Sequence, residues 1–371
     1  MKLSIDRAAL LRSLNHVQSV VERRNTIPIL SNVLMRADDG MLTLTTTDMD
    51  LEINESVAAN VAKKGATTAP AHTLHDIIRK LPDGSEVELA LNGDGTQMTV
   101  RAGRSQFKLS CLPTGDFPEI GPGELPATFA IPAGDLRALI DRTKFAMSTE
   151  ETRYYLNGIY LHEADQDGVK VLRAVATDGH RLARFEMPLP DGGTGMPGVI
   201  IPRKAIGELR KLIDEAADTI AISLSQSKIR FAFDHVVLTS KLIDGTFPDY
   251  QRVIPKGNDK IVEVDPKIFT GAIDRVSTIS DGKSRAVKIT LQGKSMTLSA
   301  SSPESGSATE ELEVNGDTDM EIGFNAKYLL DITSQIEGEG CRLTLADAAS
   351  PTIIQDNSDP SSLYVIMPLR V

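Results

Sequence analysis

The chain has 371 residues, more than a single hydrophobic core organises, so two or three domains are expected. Its 41% hydrophobic and 25% charged residues exclude a disordered or fibrous chain, and its net charge of −11 speaks, taken alone, against a nucleic-acid binder. No apolar run approaches the roughly 18 residues of a membrane helix. Asp6, Arg7 and Arg12 break up the first stretch, which therefore lacks a secretory apolar core, and a cytoplasmic protein is expected. Two cysteines, Cys111 and Cys341, are too few for a disulfide framework or a four-thiolate metal site; both sit in strand-like stretches and are expected to be buried thiols.

In chain order, Ile5 leads to Leu10 and Leu14 at plus five and plus nine, which predicts a helix over 7–21. Arg23 and Arg24 follow as a basic tip, and Asp39-Gly40 marks a hairpin turn. Asp48 and Asp50 stand close together but lack the glycine and distal glutamate of a calcium loop. A second opening starts at Ala69, with Leu74 and Ile77 at plus five and plus eight. With Ile78 and Leu81 these form the apolar stripe of a helix over 72–81, on which His72 and His75 are expected to be solvated. Neither histidine has a second ligand pair at metal spacing. Alternation at Val87, Leu89, Leu91 and at Phe107, Leu109, Cys111 predicts half-buried strands, with a turn at Asn92-Gly93. Asp116-Phe117-Pro118-Glu119-Ile120 reads as a linker.

The same order then recurs. Ile131, Leu136 and Ile140 repeat the first opening 126 residues on, and Val264, Phe269 and Ile273 repeat it 133 residues further, predicting helices over 135–145 and 266–276. The second opening recurs at Ile201, Ile206, Leu209 and at Phe324, Leu329, Ile332, predicting helices over 203–213 and 326–336. Alternating strands follow at Ile220, Ile222, Leu224, at Ile229, Phe231, Phe233 and at Leu343, Leu345, with a turn at Asp167-Gly168. Thr246-Phe247-Pro248-Asp249-Tyr250 is the second linker. Six half-units thus make three α+β domains, 1–124, 125–252 and 253–371, each with two helices backed by antiparallel sheet.

No cofactor or catalytic motif survives inspection. Gly193–Gly198 fits G-x-G-x-x-G, but it follows Pro188 and Pro190 and places Pro197 where a helix must begin. Asp178 beside His180 is read as a turn ending a strand; an acid–base pair of a cryptic hydrolase is the rival. No catalytic residue, metal or cofactor is expected.

Charge is unevenly placed. The six predicted helices together carry +8, which leaves −19 for the rest of the chain. Lys and Arg are good helix formers, so a solvated helix face is one reading. The other is that the helices share a polyanionic partner which the acidic remainder repels. A repeat scaffold whose helices bind an acidic protein is a third. Arg153, Tyr154 and Tyr155 cluster in a loop, either as a stacking and phosphate platform or with one ring packed inside.

Four segments carry a resemblance. Arg153-Tyr154-Tyr155-Leu156-Asn157-Gly158, Ala176-Thr177-Asp178-Gly179-His180-Arg181-Leu182-Ala183, Phe247-Pro248-Asp249-Tyr250 and Met367-Pro368-Leu369-Arg370 make the chain similar, over its whole length, to the bacterial DNA polymerase III beta subunit family, the DNA sliding clamps. The resemblance implies a head-to-tail homodimer closed as a ring around double-stranded DNA, with the helices lining the hole and no enzymatic role. It implies DNA contacts at Arg24, His72, Arg153, Tyr154, Tyr155, Arg203 and Lys204. His72 stands where the family often has Arg, so its contact is expected to be weak or to need protonation. The resemblance also implies a groove for short peptides of the replicative polymerase alpha subunit, the clamp loader, other polymerases and mismatch-repair proteins. That groove comprises Leu156, Thr177, Gly179, His180, Arg181, Leu182, Pro248, Val253, Asn325, Tyr328, Val365, Met367, Pro368 and Arg370. A dimer contact is implied between Arg104 and Phe107 of one copy and Thr278, Ile279, Glu304, Glu310 and Glu311 of the other.

Overall fold

The structure is a computed structural model that describes residues 1–121, 123–215, 218–280 and 285–370. Helices form where the apolar spacing places them: α1 Arg7–Gln18, α2 Ala71–Lys80, α3 Ala133–Asp141, α4 Arg203–Ile213, α5 Pro266–Ser277 and α6 Ala326–Thr333. Side chains fix several starts. Asp6 accepts from the Ala9 N–H, Asp265 from those of Lys267 and Ile268, and Asn325 from those of Lys327 and Tyr328. Three ends fall short of the expected 21, 145 and 336. Past each of them the backbone tightens into three-residue turns, such as Val21 N–H to Gln18 O, Ala146 to Thr143 and Ile336 to Thr333. Such turns satisfy terminal carbonyls while Val21, Ala146 and Ile336 stay buried. The 150–156 loop is likewise a 3-10 segment, Glu151–Leu156.

Strand pairing groups the chain into two compact units, and the middle repeat is divided between them. The first unit holds residues 1–136, 190–197 and 204–242. Its five-stranded sheet runs Asn60–Lys63, Lys2–Asp6, Glu86–Leu91, Gln97–Ala102, Ser105–Ser110. An eight-stranded antiparallel sheet joins Ala127–Pro132, Thr219–Leu224, Lys228–Phe233 and Val236–Lys241 of the second repeat to Leu51–Ala58, Met41–Thr47, Asn32–Asp38 and Gly65–Pro70 of the first. The junction sets Leu238 opposite Ile53, both fully buried. Helices α1 and α2 pack on each other, and Leu10, Leu14, Val17, Leu74 and Ile78 fill the core beneath them.

The second unit holds residues 137–189, 198–203 and 243–371. Its eight-stranded sheet runs Val199–Pro202, Gly158–Gln166, Val169–Thr177, Arg181–Pro188, then Ser362–Ile366, Thr352–Asp356, Cys341–Leu345, Lys260–Val264. Here the junction between repeats sets Ala183 opposite the fully buried Tyr364. A four-stranded sheet, Gly306–Glu313, Ser295–Ser302, Ala286–Gln292 and Met320–Asn325, lies with α5 and α6, which bury Phe269, Ala272, Ile273, Leu329 and Ile332. Cys111 and Cys341 are both buried thiols, and burial pushes Cys341 up to about 12.

One turn is duplicated between the repeats. Thr47 Oγ1 donates to Leu51 O at 2.9 Å and accepts from the Met49 N–H at 3.0 Å, while Asp48 Oδ1 accepts from the amides of Asp50 and Leu51. Thr177 and Asp178 make the same four bonds around Gly179, His180 and Arg181. The Thr-Asp pair is therefore a backbone device. It closes the turn ahead of the strand that reaches the neighbouring repeat.

Candidate functional site

The duplicated turn of the second repeat borders a cavity of about 290 Å³. Leu156 reaches it from the end of the 3-10 segment, and Thr177, Gly179, His180, Arg181 and Leu182 from the turn. Pro248 comes from the second linker and Val253 from just after the Tyr250–Arg252 turn that ends it, and Val365 and Met367 from the last strand and the residue after it. Arg153, Tyr155, Asp249 and Tyr250, which are not among the groove residues implied by the resemblance, complete the wall. Asn325, Tyr328, Pro368 and Arg370 do not line this cavity. Asn325 is spent capping α6, and Tyr328 faces an adjoining cleft of about 400 Å³ that shares His180 and Arg181. The Leu369 N–H bonds Gly323 O at 2.7 Å, and Arg370 beyond it is exposed.

The apolar lining rests on a polar frame. Arg181 is 8% exposed, and its guanidinium bonds Asp178 at 3.1 Å, Asp331 at 2.5 Å and the Phe145 carbonyl at 2.5 Å. It also lies over the rings of Phe145 and Tyr328, at 5.2 and 4.3 Å from their centroids. Arg181 thus acts as a rivet and leaves the groove mainly its hydrocarbon. Met367 N–H donates to His180 O at 2.9 Å, which ties the C-terminal wall to the turn.

The Phe247–Tyr250 linker is held by aromatic stacking. Phe247 lies parallel to Tyr160 at 4.8 Å, and Tyr160 stacks on His162 at 4.5 Å. His162 Nδ1–H donates to Glu163 O, so Nε2 is left to accept from the Tyr250 hydroxyl at 3.0 Å. That hydroxyl accepts in turn from Arg173, which also pairs with Glu186 at 2.8 Å. Burial, reinforced by the Arg173 charge, holds the His162 pKa below its ordinary value against the opposing Glu163 bond, which keeps the imidazole neutral.

Asp178 is committed to the turn amides and to Arg181, and the His180 ring stacks on Tyr328 at 6.4 Å. The pair therefore does not form the acid–base couple of the hydrolase reading.

The expected DNA contacts divide. Arg24 and Tyr154 are exposed; Tyr155 is half-buried and edge-on to Tyr154 at 5.7 Å. Arg153 is drawn to Glu150 at 2.7 Å on the groove wall. Arg203 donates to Ser148 O at 3.3 Å. Lys204 reaches Glu22 and Asp48, and His72 bonds Val21 O at 2.8 Å. The expectation of solvated helix histidines is corrected. Both His72 and His75 are half-buried against α1 and the turn after it, and His75 Nε2 lies 2.7 Å from Asn15 Oδ1.

Of the expected dimer residues, Phe107 and Arg104 are exposed, on and beside the outer strand Ser105–Ser110. Glu304, Glu311 and Thr278 are exposed and Ile279 half-buried. Glu310 is paired with Arg275 at 2.5 Å within the chain.

Models of the DNA polymerase III beta subunit match the chain in series: the N-terminal domain over residues 1–121, the central domain over 130–249 and the C-terminal domain over 251–370. The beta sliding clamp of Caulobacter vibrioides is 53% identical and that of Escherichia coli K12 38% identical, each over the full length of both chains. Solved structures agree. Pol III beta of Caulobacter crescentus superposes with a TM-score of 0.95 at 53% identity, and the Bartonella birtlesii sliding clamp bound to griselimycin with 0.97 at 52%, both over all of each chain. The chain belongs to the DNA polymerase III beta subunit family, the sliding clamps that serve as processivity factors in DNA replication.

Proposed function

We propose that the protein works as a non-catalytic ring. Two copies, each of three domains at 1–124, 125–252 and 253–371, close head to tail around duplex DNA in the cytoplasm. The cavity beside the Thr177–Leu182 turn holds short linear motifs of the replicative polymerase, the clamp loader and repair proteins. The observation that carries this reading is that cavity: an apolar pocket walled by four separate segments in a chain that matches the clamp family from end to end.

Charge supports the closure. The outer strand Ser105–Ser110 and its turn present Arg104 and Lys108 around Phe107. The outer strand Gly306–Glu313 and its turn present Glu304, Glu311 and Glu313. Two edge strands of opposite charge, one in each compact unit, are what a head-to-tail contact needs. A ring holds DNA by topology, and contacts to phosphate alone supply no sequence register, so it slides.

The test is retention on nicked circular DNA after loading by a matched clamp loader. A clamp stays on the circle in high salt and leaves once the circle is cut. Equal salt-sensitive loss from circular and linear forms would refute topological linkage.

A further inference from the structure

The Arg23-Arg24 tip is gripped by two residues that hold the same place in two half-units. His72 is the second residue of α2 and Lys204 the second of α4, each three positions after its opening residue, Ala69 or Ile201. The His72 Nε2–H donates to Val21 O at 2.8 Å; a carbonyl only accepts, so this nitrogen carries the proton and faces the backbone. Lys204 Nζ donates to the adjacent carbonyl, Val20 O, at 3.2 Å, and to Glu22 at 2.5 Å and Asp48 Oδ2 at 2.6 Å. An ammonium has three N–H bonds, so all of them are spent. Burial opposes the charge on Lys204, but Asp48 and Glu22 outweigh it and raise its pKa. Arg23 and Arg24, immediately beyond these anchors, are exposed.

We infer that His72 and Lys204 are positioning residues, not phosphate ligands: they fix two successive carbonyls of the tip so that Arg24 meets DNA phosphate in one orientation. Lys204 does so across repeats, from the second onto the first. A tip already ordered in the free protein loses less conformational entropy on each contact. This inference rests on the DNA-clamp reading, and its two readouts separate the failure of one from the failure of the other.

Lys204→Met keeps the hydrocarbon stem and removes the donors. Amide exchange in the full-length protein without DNA reports the grip: residues 20–25 are expected to exchange about tenfold faster in the variant, with the rest unchanged. Duplex affinity by fluorescence anisotropy over a salt series reports the role. Lys204→Met is expected to weaken binding about threefold in the wild-type background and to add almost nothing to Arg24→Ala. Additive losses, with the log–log salt slope flattened by about 0.9 for each substitution, would make Lys204 a phosphate ligand and overturn the inference. Unchanged exchange would overturn the grip itself. A wild-type protein not retained on nicked circular DNA after loading would sink the DNA reading, while the exchange result would still decide whether Lys204 holds the tip.

Discussion

Arg153 lies so close over Gly179 that a Cβ built on the glycine would stand 2.5 Å from Arg153 Nη1. Gly179 also has φ +89°, in the left-handed region. The groove therefore depends on one position with no side chain. Gly179→Ala is expected to lower stability by about 1–2 kcal/mol through backbone strain. By displacing Arg153 it should also weaken a bound polymerase peptide about tenfold, as read by fluorescence polarisation. Wild-type affinity would show that Arg153 is no part of the wall.

Met49 occupies the equivalent place in the first repeat, at φ +80°, with its side chain 45% exposed. It bears the same strain without burial in return. Met49→Gly is expected to raise stability by about 0.5–1 kcal/mol in urea unfolding, the left-handed penalty less the entropy that glycine adds to the unfolded chain.

Tyr250→Phe removes the hydroxyl that joins Arg173 to His162. Arg173 is buried and His162 half-buried, and Arg173 would keep Glu186 and Gln166. A loss of about 1–3 kcal/mol is expected from the unpaired donor and acceptor, with the urea midpoint lowered. An unchanged midpoint would mean that stacking alone holds the linker.

His16 on α1 lies between Glu55 on the strand Leu51–Ala58, at 2.7 Å, and Glu215 beyond α4, at 3.1 Å. Burial opposes its charging, but the two carboxylates prevail and raise its pKa above the ordinary 6.5. The folded state thus binds the proton more tightly than the unfolded state. The stabilisation is complete below the unfolded value of about 6.5 and fades as pH rises through the raised folded value. His16→Gln is expected to cost about 1–2 kcal/mol at pH 6 and progressively less above it. A deficit independent of pH would refute the linkage.

Phe107 is 36% exposed on an edge strand among Arg101, Arg104 and Lys108. Phe107→Asp is expected to shift the protein to monomer in sedimentation while leaving the helical circular dichroism intact, since one charge buried at a contact costs several kcal/mol. A persistent dimer would place the contact elsewhere.

Local signals carried most of the architecture. Apolar spacing at plus five and plus nine recurs because each half-unit must bury one helix face, and that demand is written within a dozen residues. The turn residues were readable for the same reason, whereas the cavity lining was implied only by the resemblance that the four motif segments carry. Side-chain commitments were not. Lys204 and His72 have the composition of phosphate contacts, yet their donors go to Val20, Val21, Glu22 and Asp48, residues distant in sequence. Arg181 has the composition of a ligand anchor and is spent on Asp178, Asp331 and Phe145. Strand spacing also could not reveal that the middle repeat shares its sheets with both neighbours, because pairing Leu238 with Ile53 and Ala183 with Tyr364 is settled by long-range register. Periodicity is a property of one segment, whereas the partner of a charge depends on which segments meet.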